Sequence, residues 1–194
     1  MSNLLLWFIG AYLLGSIPTG LLLGKLYGID VRNEGSGNIG ATNLYRTVGR
    51  KVGIMTLVGD CLKGVLPVLL AWKLGMAEPA QAWIGLAAFC GHVFSIFLLF
   101  KGGKGVATAL GVFLALSPLA VLGALMVFIL LVAIWRYISL GSIAAAAAMP
   151  LLVYLAPHSS EMLITTALIA AIVIIKHQAN IKRLIDGTEN RFKA

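Results

Sequence analysis

An all-α membrane protein, a bundle of seven transmembrane helices, is the fold class that three features of this chain predict. Of its 194 residues, 60% are hydrophobic and only 11% charged, where a soluble domain carries about 25% charged residues. Apolar runs near twenty residues in length recur from end to end, and the mean hydropathy is +0.97, which places the chain in a bilayer. The lysines and arginines sit in the gaps between those runs. The formal charge of +8 therefore suits membrane topology and anionic partners better than nucleic acid.

The spans are expected at 4–24, 53–72, 80–100, 105–116, 119–135, 138–156 and 161–176, with 1–194 forming one transmembrane domain. No basic residue precedes the first run and no small-residue cleavage site follows it, so a retained span is expected rather than a removed leader. Ser117-Pro118 separates the fourth and fifth spans, because proline disfavours helix in the residue before it and lacks an amide donor. Charge supports that break. With the N-terminus outside and the C-terminus cytoplasmic, the inner segments hold 13 of the 15 Lys and Arg, from Lys25 through Lys104 and Arg136 to Lys193. One helix across 105–135 would instead send the basic tail outside, against the positive-inside tendency. The fourth span is short. Its twelve residues cover about 18 Å of a hydrocarbon core about 30 Å thick. A short helix starting at a glycine-rich loop aims free amides at the inner boundary.

Three polar islands interrupt the apolar runs, all on the expected cytoplasmic side. The first is Gly35-Ser36-Gly37-Asn38-Ile39-Gly40-Ala41-Thr42-Asn43 with Arg46, in the only long loop, 25–52. Its G-x-G-x-x-G is not a dinucleotide fingerprint, since a membrane helix rather than a strand precedes it. What remains is glycine-freed backbone, short polar groups at Ser36, Asn38, Thr42 and Asn43, and a guanidinium suited to phosphate. The second island, Lys101-Gly102-Gly103-Lys104-Gly105-Val106-Ala107-Thr108, is not a Walker loop, because Leu98 stands where that pattern needs glycine. Lys104 still begins a helix, with Thr108 one turn on. The third is His177, Asn180 and Arg183, followed by Gly187-Thr188-Glu189; His177 and Asn180 share a helix face at i, i+3.

Asp60, Lys63 and His92 lie inside the spans, where ionisable groups are costly and mark functional candidates. Asp60 and Lys63 can pair along one helix, and His92 falls at a similar depth, so a pair supporting the site is the expectation. Cys61 and Cys90 sit in apolar runs as small core residues. No G-x-S-x-G occurs, and no histidine is followed five residues on by aspartate, the spacing of soluble-type acyltransferases. No His/Cys/carboxylate cluster has metal-ligand spacing, and neither metal nor cofactor is expected.

These motifs resemble the bacterial integral-membrane acyltransferases that use acyl phosphate to acylate glycerol 3-phosphate. The likeness covers nearly the whole chain and rests on the three islands in order. Gly91-His92, and Asp60 with Lys63-Gly64, match as well, whereas Ser95 replaces a common proline. The resemblance implies transfer of a fatty acyl group from acyl phosphate to the sn-1 hydroxyl of glycerol 3-phosphate, giving lysophosphatidic acid and phosphate. It further implies a bacterial inner-membrane location and a partner enzyme that makes acyl phosphate.

The residues suit that chemistry. Acyl phosphate is an activated anhydride, so no covalent enzyme intermediate is required; holding two phosphates and a chain in attack geometry supplies much of the rate. Lys104 and the Gly102, Gly103 and Gly105 amides, with Thr108, are expected to hold one phosphate. Ser36, Gly37, Thr42, Asn43, Arg46, His177 and Asn180 take the other, and which island takes which substrate stays open. Asn38 or amides of the second island meet the charge on the carbonyl oxygen. His177 is the side-chain base, with a substrate phosphate as the alternative proton acceptor. The rival class is a small transporter of a phosphorylated anion. It calls for polar residues through the whole thickness, yet the outer halves of these spans are almost purely apolar.

Overall fold

The computed structural model describes residues 4–192, so Lys193, counted above among the inner cations, lies outside the described residues. Among the described residues ten α-helices follow one another: α1 Leu4–Ser16, α2 Thr19–Leu26, α3 Ala41–Thr47, α4 Arg50–Lys73, α5 Glu78–Val93, α6 Val106–Leu116, α7 Pro118–Trp135, α8 Ile138–Tyr154, α9 Ser160–Lys176 and α10 Gln178–Ile185. No strand occurs among the described residues. Among the described residues four stretches are long and apolar enough to cross a membrane: Leu4–Leu26, Arg50–Lys73, Glu78–Leu98 and Pro118–Trp135. Joining α9 to α10 across a 56° bend makes a fifth, while α6 and α8 are shorter apolar helices.

Proline and glycine set the breaks. Pro118 stands at the first position of α7, where its missing amide costs nothing, and separates α7 from the eleven-residue α6. Gly105 precedes α6 with φ +86°, a left-handed turn that a side chain would resist. Two expected spans and the long loop differ from the sequence-based expectation. The first is broken at Ile17-Pro18 into α1 and α2. The α-helix of the third ends at Val93 and the chain continues as the 3₁₀ turn Ile96–Leu98, with Leu99 and Phe100 left-handed. The long loop contains α3, so Thr42, Asn43 and Arg46 sit on a helix.

The two broken ends are stitched to each other. The Ser95 hydroxyl donates to Ser16 O at 2.6 Å, the Tyr12 hydroxyl to Phe94 O at 2.6 Å, and Lys63 Nζ to Ile17 O at 2.7 Å. Each takes up a carbonyl that a continuous helix would have satisfied. Ser95 thus supplies a cross-helix bond.

Close backbone approach brings α4 onto α6. A Cβ on Gly64 would meet the Thr108 carbonyl, and one on Gly111 the Cys61 carbonyl, the small-residue contact that membrane helices use to dock. The principal apolar core runs through Val68, Phe89, Val112, Val121, Met162 and Val173, joining α4, α5, α6, α7 and α9. The loop 27–40, α3, the 94–105 segment and α10 therefore gather at one end of the bundle, while the turns 74–77, Ser117 and 155–159 gather at the other.

Candidate active site

A cavity of about 390 Å³ opens at the first of these ends, and residues of all three islands line it: Ser36, Asn38, Thr42 and Arg46, then Lys104 and Gly105, then His177, Asn180 and Arg183. Its deeper wall is apolar, with Ile54 and Leu57 of α4, Val106 of α6 and Phe128 of α7, and Asp60 and His92 reach it from within the bundle. A second hollow of about 520 Å³ lies between α1 and α4, lined by Leu6, Gly10, Leu66, Pro67 and similar residues. Without a charged side chain it offers no chemistry.

In the first island much of the polarity is spent on its own folding. The Asn43 side chain donates to Val31 O at 3.2 Å and Glu34 O at 3.0 Å and accepts from the Ser36 amide at 2.9 Å. With those bonds made, Asn43 holds the loop and has little capacity left for a phosphate. The Gly37 amide donates to Glu34 O at 2.9 Å, so Gly37, at φ +69°, makes a turn instead of presenting a donor. Asn38 Oδ1 accepts from the Gly40 amide at 3.3 Å, which leaves its Nδ2 unpaired among the described residues. Arg46 is exposed and donates only to Asn190 O, at 3.3 Å.

The second island also departs from expectation. The Gly102 and Gly103 amides donate to Val93 O and His92 O, each at 3.2 Å, and neither residue lines the cavity. They dock the loop onto the end of α5. Only the amides from Lys104 onward, including the unpaired first turn of α6, remain to face an anion. Thr108 is fully buried at the α4–α6 crossing, its hydroxyl without a partner, so it is not part of the cavity wall. Lys104 Nζ donates to Asn180 Oδ1. Burial pushes the Lys104 ammonium down to about 8; Glu189 works against that shift, and Arg183 and Arg46 add to it.

In the third island His177 occupies the bend between α9 and α10, and both His177 and Asn180 are buried. His177 Nδ1 lies 2.7 Å from Val173 O. A carbonyl only accepts, so Nδ1 carries the proton and Nε2 keeps its lone pair. Burial lowers the His177 pKa; the Val173 bond opposes that shift, while Lys104 reinforces it.

Sequence reasoning assigned no role to Glu189, Ser139 or Ser142, which the structure places in the wall. Glu189 accepts from Ser139 Oγ at 2.9 Å, Asn180 Nδ2 at 2.8 Å and Arg183 Nε at 2.7 Å. Burial works against its charge, but these bonds hold Glu189 below the usual carboxylate range. The tail then crosses the mouth: Phe192 N donates to Arg136 O at 2.6 Å, and its ring lies 5.7 Å from that of Tyr45. The available signals were an i, i+3 serine pair opening α8 and an acid within a basic tail. Within the bundle, Lys63 Nζ lies 2.6 Å from Asp60 Oδ1 and 3.3 Å from His92 Nδ1.

Fold and cavity define a polytopic membrane enzyme whose site concentrates cations and free donors beside an apolar wall. The glycerol-3-phosphate acyltransferase family matches residues 5–187. Glycerol-3-phosphate acyltransferases of Trichlorobacter lovleyi and Geobacter sulfurreducens are 83% and 65% identical to the chain, each aligned over all of both proteins. The crystal structure of PlsY (YgiH), an integral membrane glycerol 3-phosphate acyltransferase, in its glycerol 3-phosphate form superposes with a TM-score of 0.94 at 43% identity, covering 98% of this chain and 96% of that one. The lysophosphatidic acid form gives 0.92 at 42% identity, with the same coverage. The chain belongs to the glycerol-3-phosphate acyltransferase family.

Proposed function

We propose that this enzyme transfers a fatty acyl group from acyl phosphate to the sn-1 hydroxyl of glycerol 3-phosphate, releasing lysophosphatidic acid and phosphate. The observation that carries the proposal is the convergence of three sequence-remote islands on one cation-rich cavity with an apolar wall. Phosphate takes the polar rim and the acyl chain takes Ile54, Leu57 and Phe128. The sn-1 oxygen attacks the carbonyl carbon, the carbon–oxygen bond to phosphate breaks, and phosphate leaves with its bonding pair. The hydroxyl proton passes to His177 Nε2, the one ring nitrogen of that residue free to accept it, and from there to the departing phosphate. Lys104 and Arg46 neutralise phosphate charge, while Asn38 Nδ2 and the amides at the start of α6 meet the carbonyl oxygen.

We further infer seven membrane crossings, with α1–α2 as one, α6 and α8 as short crossings, and the site facing the cytoplasm of a bacterial inner membrane. The basic residues concentrate at the site end, as positive-inside insertion favours. Acyl phosphate, made by a separate enzyme, then arrives at the face where glycerol 3-phosphate is soluble.

The donor is tested by phosphate release from purified protein given glycerol 3-phosphate with acyl phosphate, acyl-CoA or acyl carrier protein in turn. Turnover with acyl phosphate alone is expected, and equal turnover with acyl-CoA overturns the donor assignment. Cysteines placed at position 188 and position 157, reacted with an impermeant maleimide on intact cells, test the orientation: only the second should label.

A further inference from the structure

We propose that His92 is a further catalytic donor of this site, its Nε2–H held toward the cavity to stabilise the oxyanion that forms on the acyl carbonyl. The proposal rests on the acyl-transfer reading above. Three groups surround Lys63 Nζ inside the bundle: Asp60 Oδ1 at 2.6 Å, Ile17 O at 2.7 Å and His92 Nδ1 at 3.3 Å. An ammonium has three protons and no lone pair. It donates to Ile17 O and has nothing with which to accept from the ring, so His92 Nδ1 must accept, while Asp60 Oδ1 stands at ion-pair distance without a hydrogen-bond partner among the described residues. The only competing partner for Nδ1, Asp60 Oδ1, lies 3.7 Å away, beyond hydrogen-bond reach. The ring proton therefore sits on Nε2.

That proton has no acceptor among the described residues, although His92 is 5% exposed and its ring lines the cavity. An unpaired donor in such a place costs stability unless something in the cavity takes it up. The loop geometry agrees. A Cβ on Gly103 would fall on His92 Nε2, so glycine there leaves the nitrogen room at the step before Lys104. The His92 carbonyl accepts from the Gly103 amide, which fixes ring and loop together.

His92 and His177 are thus locked into opposite tautomers by their Nδ1 partners. Val173 O makes His177 Nε2 an acceptor, and Lys63 makes His92 Nε2 a donor. Ester formation needs one of each: a base for the hydroxyl proton and a neutral donor for the carbonyl oxygen. His92 lines the same cavity as Lys104 and the apolar Leu57 and Val106, which suits the carbonyl that joins chain to phosphate. Lys63 is then a positioning residue, acting through the His92 ring.

The test has two arms on the purified full chain in detergent or nanodiscs. In the first, ¹⁵N spectra of the wild-type protein labelled at histidine, assigned with His92→Gln, report the ring. A bare Nδ1 and a protonated Nε2 are expected, and a protonated Nδ1 overturns the proposal. The second arm is steady-state kinetics with acyl phosphate and glycerol 3-phosphate. His92→Ala is expected to lower kcat by about 10²-fold with both KM values within a few-fold. His92→Gln, whose amide retains a donor, should recover much of the loss. A raised KM with kcat kept overturns the oxyanion role, and unchanged kinetics in His92→Ala overturns the whole proposal. Lys63→Met should bring the wrong tautomer into the ¹⁵N spectrum together with a fall in kcat, a pairing that packing damage alone does not produce. Wild-type protein that turns over no acyl donor would instead sink the acyl-transfer reading while leaving the tautomer result standing.

Discussion

Two polar clusters occupy opposite ends of this bundle, and they differ in what they leave unpaired. At the far end His158 Nδ1 donates to Glu78 Oε1 at 2.6 Å, the Ser117 hydroxyl meets His158 Nε2 at 3.1 Å, and the Ser159 amide donates to Glu78 Oε2 at 2.8 Å. The Ser159 hydroxyl caps α9 by accepting from the Met162 amide at 3.3 Å. The cluster ties the starts of α5, α7 and α9 together, and its donors and acceptors satisfy one another. At the site end His177 Nε2, Asn38 Nδ2 and the amides at the start of α6 lack partners among the described residues, while Arg46 holds only a backbone carbonyl there. A serine, a histidine and a carboxylate in line are thus no sign of catalysis here. Residual hydrogen-bonding capacity separates a brace from a site.

The sharpest way to break the comparison is to remove one cation. Lys104→Ala should lower kcat/KM by on the order of 10²–10³-fold, because the charge acts in a water-poor site. Ser117→Ala at the far end should leave kcat/KM within about twofold of wild type, since it only unpicks one bond of the brace. Phosphate-release kinetics on both proteins decide the matter. A small effect at Lys104 would mean that phosphate is held elsewhere.

Exchanging the roles of the two peripheral histidines comes next. His177→Ala should cost roughly 10²–10⁴-fold in kcat, the range of a general base, with thermal unfolding little changed. His158→Ala should do the reverse, keeping kcat and losing about 1–3 kcal/mol of stability through the stranded Glu78 and Ser117 groups. Near-normal kcat in His177→Ala would transfer the proton to a substrate phosphate.

A pH profile sharpens the contrast. The Lys104 ammonium, lowered to about 8 by burial, is present below that pH and lost above it. Activity should therefore decline by about tenfold per unit well above pH 8, while bound phosphate moves the limb upward. Lys104→Arg, charged at every accessible pH, should flatten the limb even if its fit lowers the plateau. On the acid side, protonation of His177 removes the base; because burial lowers its pKa, that limb falls below the ordinary histidine value.

How much of this was legible beforehand follows the same division. The islands, the short α6, the Ser117-Pro118 break and the meeting of Asp60, Lys63 and His92 were all readable, because glycine, proline and charge act locally. The use made of each group was not. The Gly102 and Gly103 amides go to Val93 and His92, the Asn43 amide to its own loop, and the Gly37 amide to Glu34. Whether a donor is free depends on what the tertiary fold brings beside it, and motif density says nothing of that. Glu189 was named in the third island but given no role, for the converse reason. An acid looks wrong for a phosphate site until Ser139, Asn180 and Arg183 are seen to share it. Glu189→Gln keeps the shape but weakens three charge-assisted bonds. It should raise the KM for glycerol 3-phosphate roughly tenfold by loosening Asn180, with kcat less affected.

The smallest expected effect is the most discriminating for the second island. Thr108 looks like a phosphate ligand one helical turn from Lys104, yet its hydroxyl is buried without a partner among the described residues, and its carbonyl lies against Gly64 at the α4–α6 crossing. Thr108→Val keeps the branched shape and deletes the oxygen. An unsatisfied buried hydroxyl costs about 1–3 kcal/mol, so the variant should be as stable as wild type or more stable by up to about 1 kcal/mol, with unaltered kinetics toward both substrates. Loss of activity in Thr108→Val would place that hydroxyl on a substrate, and would require α6 to rotate against α4 when the cavity fills. The close packing of Gly64 and Gly111 argues against that movement, because the two backbones already touch where the helices cross.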